Sequence, residues 1–551
     1  MNIFIIGFSA SGKTTIGEIV ATKLGWEFVD TDQEIAKTTG KSVNDIFAEM
    51  GEAHFRKLER QCLSSICKNN NQVVSTGGGM FMDTYNQELM NENGIVICLE
   101  ALPETIHKRL QNQNCGKSQT TIRPMLNSTN SLEKIKSLKT QRQSIYALAH
   151  WTIHTDHLDL YQVTTEILKA HDILNKLRSS GTNQSHDNLA VTVNTSSGSY
   201  PILVGWGIVE NLGQQTETLI SPSVVYIVLD EKVSHQSKQI QSSLESTGIK
   251  SHVFVVPSGE QIKTLETASQ IYKWLAECNA ERGHLIAAMG GGVIGDLVGF
   301  VAATYLRGMR FIQIPTTLLA MTDASIGGKV AVNLPQGKNL VGSFHQPEFV
   351  LTDISMLKSL PKRELISGWA EAIKHGLILN ANLVDAFENN RKEISTLSPD
   401  IVTDVIKKSI QIKADVVSQD EKETLNTRVL LNYGHTIGHA IESTTEYKDF
   451  LHGEAISIGM MGAAYISEFM DLLSHKDVER QCALLKSYGL PTSSNNINIS
   501  MLEEAMLVDK KMTEKSIRWV LLNGIGNAVI KNNVPKQIIR EALNRLTSST
   551  S

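Results

Sequence analysis

His435 and His439 stand four residues apart in Asn432-Tyr433-Gly434-His435-Thr436-Ile437-Gly438-His439. A helix stacks residues four apart on one face, so both imidazoles would point to one place. His452, in Leu451-His452-Gly453-Glu454, can return there from a loop, and Glu371 can complete a metal site. The chain has 16 His, and composition alone predicts roughly half of one such pair by chance. The pair by itself therefore leaves a satisfied or exposed histidine equally open.

A second reactive stretch is Gly7-Phe8-Ser9-Ala10-Ser11-Gly12-Lys13-Thr14-Thr15. It fits G-x-x-x-x-G-K-[ST] between an apolar strand and a helix, the context that pattern requires. Ala10, Ser11, Gly12 and Thr15 bring backbone N–H groups to phosphate oxygens. Lys13 neutralises the outer phosphates, and the Thr14 hydroxyl suits Mg²⁺. Asp30 and Asp32 end an apolar run, where period 2 points both the same way. One could help hold metal while the other meets a substrate hydroxyl; a turn or helix cap is the plainer reading. Arg56, in Gly51-Glu52-Ala53-His54-Phe55-Arg56 opening a helix, is free for an anion or for pairing with Glu52 or Glu59. Gly77-Gly78-Gly79 follow a buried strand and let a ligand approach the backbone. The polar residues 111–123 suit a lid ending at Arg123, or a surface loop. Arg142 and Tyr146 lie one helical turn apart.

A third set follows residue 189. Asp230 ends one apolar strand, and Gly290-Gly291-Gly292-Val293-Ile294-Gly295-Asp296 follows another. Strand, glycine turn and helix is the arrangement in which backbone meets a pyrophosphate; a tight connection is the alternative. Thr316 and Thr317 end a further strand. Arg307, Lys329, Lys338 and Asn339 make a cation and amide set near one crevice, suited to a phosphorylated substrate.

Elements must hold these groups in place. At 551 residues, two or three domains are expected. The pattern predicts an α/β class: a phosphate-loop domain with a parallel sheet over 1–172, and a polar linker over 173–188. A Rossmann-like α/β half follows over 189–350, then a mostly helical half over 351–551. The net charge of −5 argues against a general nucleic-acid binder and for small-molecule partners. Six cysteines without a Cys-x2-Cys pair suit reduced thiols in a cytoplasmic protein. The N-terminus lacks a signal-peptide pattern, and no apolar run is long enough for a membrane span.

Residues 1–170 resemble shikimate kinase through the phosphate loop, Asp30-Thr31-Asp32, Phe55-Arg56, Gly77-Gly78-Gly79, Arg123-Pro124 and Arg142 with Tyr146. The resemblance implies ATP-dependent phosphorylation of shikimate, with Mg²⁺ on Thr14 and Asp30. Asp32 would bind ring hydroxyls beside Gly77–Gly79, Arg56 and Arg142 the carboxylate, and Arg123 the nucleotide. Lys13 and Asp32 would be catalytic. Ala10 replaces the usual glycine, which is tolerable if its φ is negative.

Residues 190–545 resemble 3-dehydroquinate synthase through Gly290–Asp296, Ala303–Gly308, Ile314–Leu319, Gly327-Gly328-Lys329, Gly337-Lys338-Asn339, Glu371 with Lys374, Asn432–His439 and His452-Gly453-Glu454. The resemblance implies conversion of 3-deoxy-D-arabino-heptulosonate 7-phosphate to 3-dehydroquinate and phosphate by a homodimer. It places Zn²⁺ (or Co²⁺) on Glu371, His435 and His452. NAD would meet Asp230, Glu260, Lys263, Gly291, Gly292, Asp296, Thr316, Thr317, Lys329 and Lys338. The substrate would meet Arg307, Asp323, Lys329, Asn339, Lys374, Lys413, Arg428, Asn432, His439 and Lys510. Lys329, Asn339, Lys374 and His439 would take part in catalysis.

Overall fold

The computed structural model describes residues 1–114, 131–146, 148–179, 189–195, 198–423, 427–445, 448–494, 498–513 and 517–547. It divides into two compact units, Met1–His186 and Asp187–Ser551.

The first unit is built on five parallel strands, in the order Glu27–Asp30, Gln72–Ser75, Asn2–Gly7, Gly94–Glu100, Trp151–His154. Ile3, Phe4, Ile5 and Ile6 are all buried, because a central parallel strand is covered on both faces. The chain leaves Asn2–Gly7 and its neighbour Gln72–Ser75 in opposite directions. That reversal opens a crevice beyond their C-terminal ends. The loop before helix Lys13–Leu24 and the run Thr76–Gly79 both empty into it.

Three local readings need correction. The strand ends at Asp30, and Asp32 lies in helix Thr31–Thr39. The two carboxylates therefore do not share a strand's period. Gly51 does not open a helix; it is a kink (φ 78°) inside Val43–Ile66. Helix Leu160–Ser179 continues through residues 173–179, so that part of the expected linker is helical.

The second unit has a seven-stranded sheet ordered Leu189–Thr195, Gly198–Gly205, Val350–Asp353, Arg310–Pro315, Leu285–Gly290, Val224–Asp230, Lys250–Val256. Only the first pair is antiparallel. Strand residues alternate between two apolar layers. Ile227, Leu229, Ala287 and Met289 join the larger core, while Tyr226, Val228, Ile286 and Ala288 face the other way. The larger core runs on through the helices to Leu546, so the α/β and helical halves form one body. Here the reversal falls between Val224–Asp230 and Leu285–Gly290, at Asp230 and Gly291.

Candidate active sites

The crevice of the first unit is a cavity of about 490 Å³ that gathers Lys13, Thr14, Asp30, Asp32, Arg56, Gly77–Gly79 and Arg142. Lys13 Nζ lies back over the loop, donating to the Gly7 and Phe8 carbonyls at 2.9 Å. Thr14 Oγ1 donates to Asp30 Oδ2 at 2.8 Å, so hydroxyl and carboxylate could share one cation. Asp30 also caps its helix, accepting from Asp32 N at 3.1 Å. Ala10 has φ 63°, contrary to the negative value expected. The loop needs a left-handed residue there whatever its side chain.

The three glycines make room chiefly for this chain's own side chains. A Cβ on Gly77 would sit 2.7 Å from Asp32 Oδ1, and one on Gly79 would sit 2.5 Å from Arg56 Nη1. Arg56 pairs with Glu52 at 2.8 Å and with Glu59 at 2.7 Å. Glu59 is a functional candidate that sequence reading left as a surface partner. It is buried at 1% exposure, and burial, opposed by Arg56, raises its carboxyl to about 7. Only its i+3 spacing from Arg56 hinted at this. Arg142 and Tyr146 both donate to the Gly78 carbonyl, at 3.0 and 2.6 Å. Arg109, also missed, ties Ser11 O to Thr155. Arg123 and most of the expected lid lie outside the described residues.

In the second unit, Asp230 ends its strand and accepts from Ser258 Oγ. A Cβ on Gly290 would sit 3.3 Å from Asp230 Cβ, and one on Gly291 would sit 3.2 Å from Thr317 Cγ2. Thr316 N donates to Gly290 O at 2.9 Å. The missing side chains thus let Asp230 and Thr317 pack close to the Gly290–Gly291 backbone. Gly292 begins the helix Gly292–Thr304 that Asp296 belongs to. Lys263 Nζ joins Asp296 and Asn339 at 2.5 Å each, and Glu260 accepts from Asn333 at 2.7 Å. Lys338 and Asn339 stand in the hairpin Lys329–Leu334/Gly337–Phe344.

A neighbouring cavity of about 640 Å³ is lined by Asp296, Asp323, Lys329, Asn339, Lys374, Lys413, Arg428, Asn432 and His435. Lys413 pairs with Asp323 at 2.5 Å. Glu423, another residue missed, pairs with Lys329 at 2.5 Å and with Arg428 at 3.3 Å. Its backbone is left-handed (φ 59°). Arg307 departs from the expected crevice: it is exposed and does not line this cavity. The Lys510 side chain lies outside the described residues.

The metal candidates converge. Glu371 lies in helix Lys362–Leu379 and His435 begins His435–Thr444. His452 begins His452–Phe469 rather than hanging from a loop. One donor atom from each lies within 4.8 Å of the others. His435 Nε2 is 3.6 Å and His452 Nε2 3.7 Å from Glu371 Oε1. His435 Nδ1 meets the Tyr433 carbonyl at 3.2 Å, which leaves Nε2 free to ligate. Glu371 is fully buried with neither oxygen in a hydrogen bond, although Lys374 pairs with it. Such a carboxylate fits a cation. Burial alone would raise Glu371, but Lys374 and the histidines hold it well below the usual carboxylate range. Burial and Lys374 push His435 down. In His452, burial is outweighed by Glu371 and Glu442, and its pKa rises to about 10. His439 is exposed beside this set, its ring 5.1 Å from that of His435.

The family model for shikimate kinase matches residues 9–172. Those for the 3-dehydroquinate synthase N-terminal and C-terminal domains match 253–367 and 368–512. The chain is 42% identical over 355 residues to a 3-dehydroquinate synthase of Picosynechococcus sp., covering 64% of this chain and 97% of that protein. It is 43% identical over 348 residues to the synthase of Thermodesulfovibrio yellowstonii, covering 63% and 97%. Among solved structures it is similar to the 2-epi-5-epi-valiolone synthase of Streptomyces hygroscopicus, with NAD⁺ and Zn²⁺ bound (27% identity, TM-score 0.58, 63% and 96% covered). It is likewise similar to a 2-deoxy-scyllo-inosose synthase complexed with carbaglucose-6-phosphate, NAD⁺ and Co²⁺ (28%, TM-score 0.58, 64% and 99% covered). No helix among the described residues is long and apolar enough to cross a membrane. The chain is an enzyme of the shikimate pathway that belongs to the 3-dehydroquinate synthase family, with a shikimate kinase domain fused ahead of the synthase.

Proposed function

We propose that one chain performs two reactions: phosphorylation of shikimate by ATP, and conversion of 3-deoxy-D-arabino-heptulosonate 7-phosphate to 3-dehydroquinate and phosphate. The observation that carries the second is the convergence of Glu371, His435 and His452 beside a cavity rich in lysine and arginine. Identity of about 42% to named synthases, against 27–28% to the related cyclases, favours this substrate over theirs.

In the synthase, Zn²⁺ on Glu371, His435 and His452 would polarise a substrate hydroxyl, and NAD⁺ would take up and return its hydride. The chain does the rest. Asp230, Glu260, Lys263 and Thr317 hold the dinucleotide along the Gly290–Gly292 turn. Lys329, Asn339 and His439 hold the phosphate; Lys413 and Arg428 take the carboxylate. Glu423 now sits on Lys329 and Arg428, so the substrate's anions must exchange with it. Asp323, Lys374 and Asn432 orient the ring hydroxyls, and Lys374 keeps Glu371 ionised.

In the kinase, Lys13 swings from the Gly7 and Phe8 carbonyls to the outer phosphates. Thr14 and Asp30 hold Mg²⁺. Asp32 receives the shikimate hydroxyl, while Arg56 and Arg142 grip its carboxylate. The same reading makes the enzyme a cytoplasmic homodimer.

A paired assay tests it. Phosphate release from the heptulosonate phosphate should stop with a zinc chelator and return with Zn²⁺. ADP formation should depend on shikimate and on Mg²⁺. Release that survives exhaustive chelation would overturn the synthase reading, and shikimate-independent ADP formation the kinase one.

A further inference from the structure

We propose that Glu442 is a positioning residue of the metal centre: its carboxylate fixes the His452 ring so that Nε2 faces Glu371. This rests on the zinc reading above. His435, His439 and Glu442 are spaced 0, 4 and 7 along helix His435–Thr444, so they share one face. Glu442 is buried, and its Oε1 lies 3.2 Å from His452 Nδ1. An ionised carboxylate can only accept. Nδ1 therefore keeps its proton, and Nε2, 3.7 Å from Glu371 Oε1, is the nitrogen whose proton a metal ion would displace.

His435 is arranged alike. Its Nδ1 meets the Tyr433 carbonyl and its Nε2 faces the same carboxylate oxygen. The two rings differ in what holds them. His435 follows its acceptor by two residues, so local backbone sets its angle. His452 opens a different helix with its side chain 31% exposed, and its orientation comes from a side chain on the His435 helix. One helix thus supplies a ligand and the residue that aims another ligand. Such partners commonly change metal affinity 10- to 100-fold.

Glu442 also falls in a second donor group, with His439 and His452. If it were itself a ligand, the chain would bind a second ion there.

The test uses the full chain, with Zn²⁺ competed against a chromophoric chelator. Parent, Glu371→Ala, Glu442→Ala and Glu442→Gln are compared, and the metal-free melting temperature of each is measured. The parent should bind one zinc per chain and Glu371→Ala should lose it. Glu442→Ala should keep one site but bind about 10- to 100-fold more weakly. Glu442→Gln retains an acceptor at the same place and should lose less. Parent-like affinity in Glu442→Ala overturns the proposal, as does a lower metal-free melting temperature with unchanged affinity. Two zincs in the parent, one of them lost in Glu442→Ala, would make Glu442 a ligand and also overturn it. Undiminished binding in Glu371→Ala would instead bring down the zinc reading on which it rests.

Discussion

Ala10 carries a methyl group at φ 63°, where an L-residue is strained by about 1–2 kcal/mol. The phosphate loop imposes this angle, so glycine is the residue it calls for. Ala10→Gly should stabilise the first unit by about 0.5–1 kcal/mol, after allowing for glycine's freer unfolded chain. A rise in the melting temperature checks it, and a fall would show that the methyl group makes a useful contact. Glu59 gives a pH signature. Burial raises its carboxyl from 4.5 to about 7 against the pull of Arg56. Between those values the folded state holds a proton that the unfolded chain has released. Its contribution to stability therefore falls as pH rises through this window, and is flat above it. Glu59→Gln should remove that slope: relative to the parent, the variant gains stability on going from pH 5 to pH 8. Denaturant titrations at both values measure it, and parallel curves would refute it. Neither effect was legible in the sequence. A backbone angle and a burial state belong to the surroundings, and Glu59 reads the same as any exposed glutamate.

At the level of elements, the candidate metal site depends on two helices that touch through glycine. A Cβ on Gly459 would lie 2.1 Å from the Gly434 carbonyl oxygen and 2.8 Å from Gly438 N. Gly434 itself needs a left-handed angle (φ 79°) to start the His435 helix. The obstacle is backbone, so neither helix can yield without moving His435 or His452. Gly459→Ala should cost about 1–3 kcal/mol, as overpacking does, and should weaken zinc retention with it. Metal content after dialysis and a melting curve report both. Normal zinc retention in the variant would show that the helices separate without disturbing His435 or His452. The His435–His439 spacing predicted a shared helix face, and the helix is there. The sequence could not show that His452 starts a helix. The glycines that set the spacing between the two helices lie in different segments of the chain.

At the scale of the whole molecule, the two units have separate cores and each has its own sheet. Each core buries its own strands, so each site is held by its own unit. Lys13→Ala should abolish shikimate-dependent ADP formation and leave phosphate release from the heptulosonate phosphate near parent level. His435→Ala should do the reverse. Assaying both activities on each variant decides the matter, and joint loss in either would refute independence. The unit boundary was partly legible: the polar run from Arg178 marks it, but helix Leu160–Ser179 takes up the first residues of the expected linker. Composition marks polarity; a helix can be polar and still pack one face.

Periodicity and turn residues show the α/β pattern of both units, the phosphate loop and the glycine turn after Leu285–Gly290, because those features are local. The candidate metal donors Glu371, His435 and His452 come from the resemblance to 3-dehydroquinate synthase, since Glu371 is remote from the histidines in the chain. That His435 and His452 both face one Glu371 oxygen follows from packing between distant segments. Packing also pairs Glu423 with Lys329 and Arg428, buries Glu59 beside Arg56, and leaves Arg307 out of the cavity lining. Each of these depends on residues distant in sequence or on what covers a side chain, and both are set by packing.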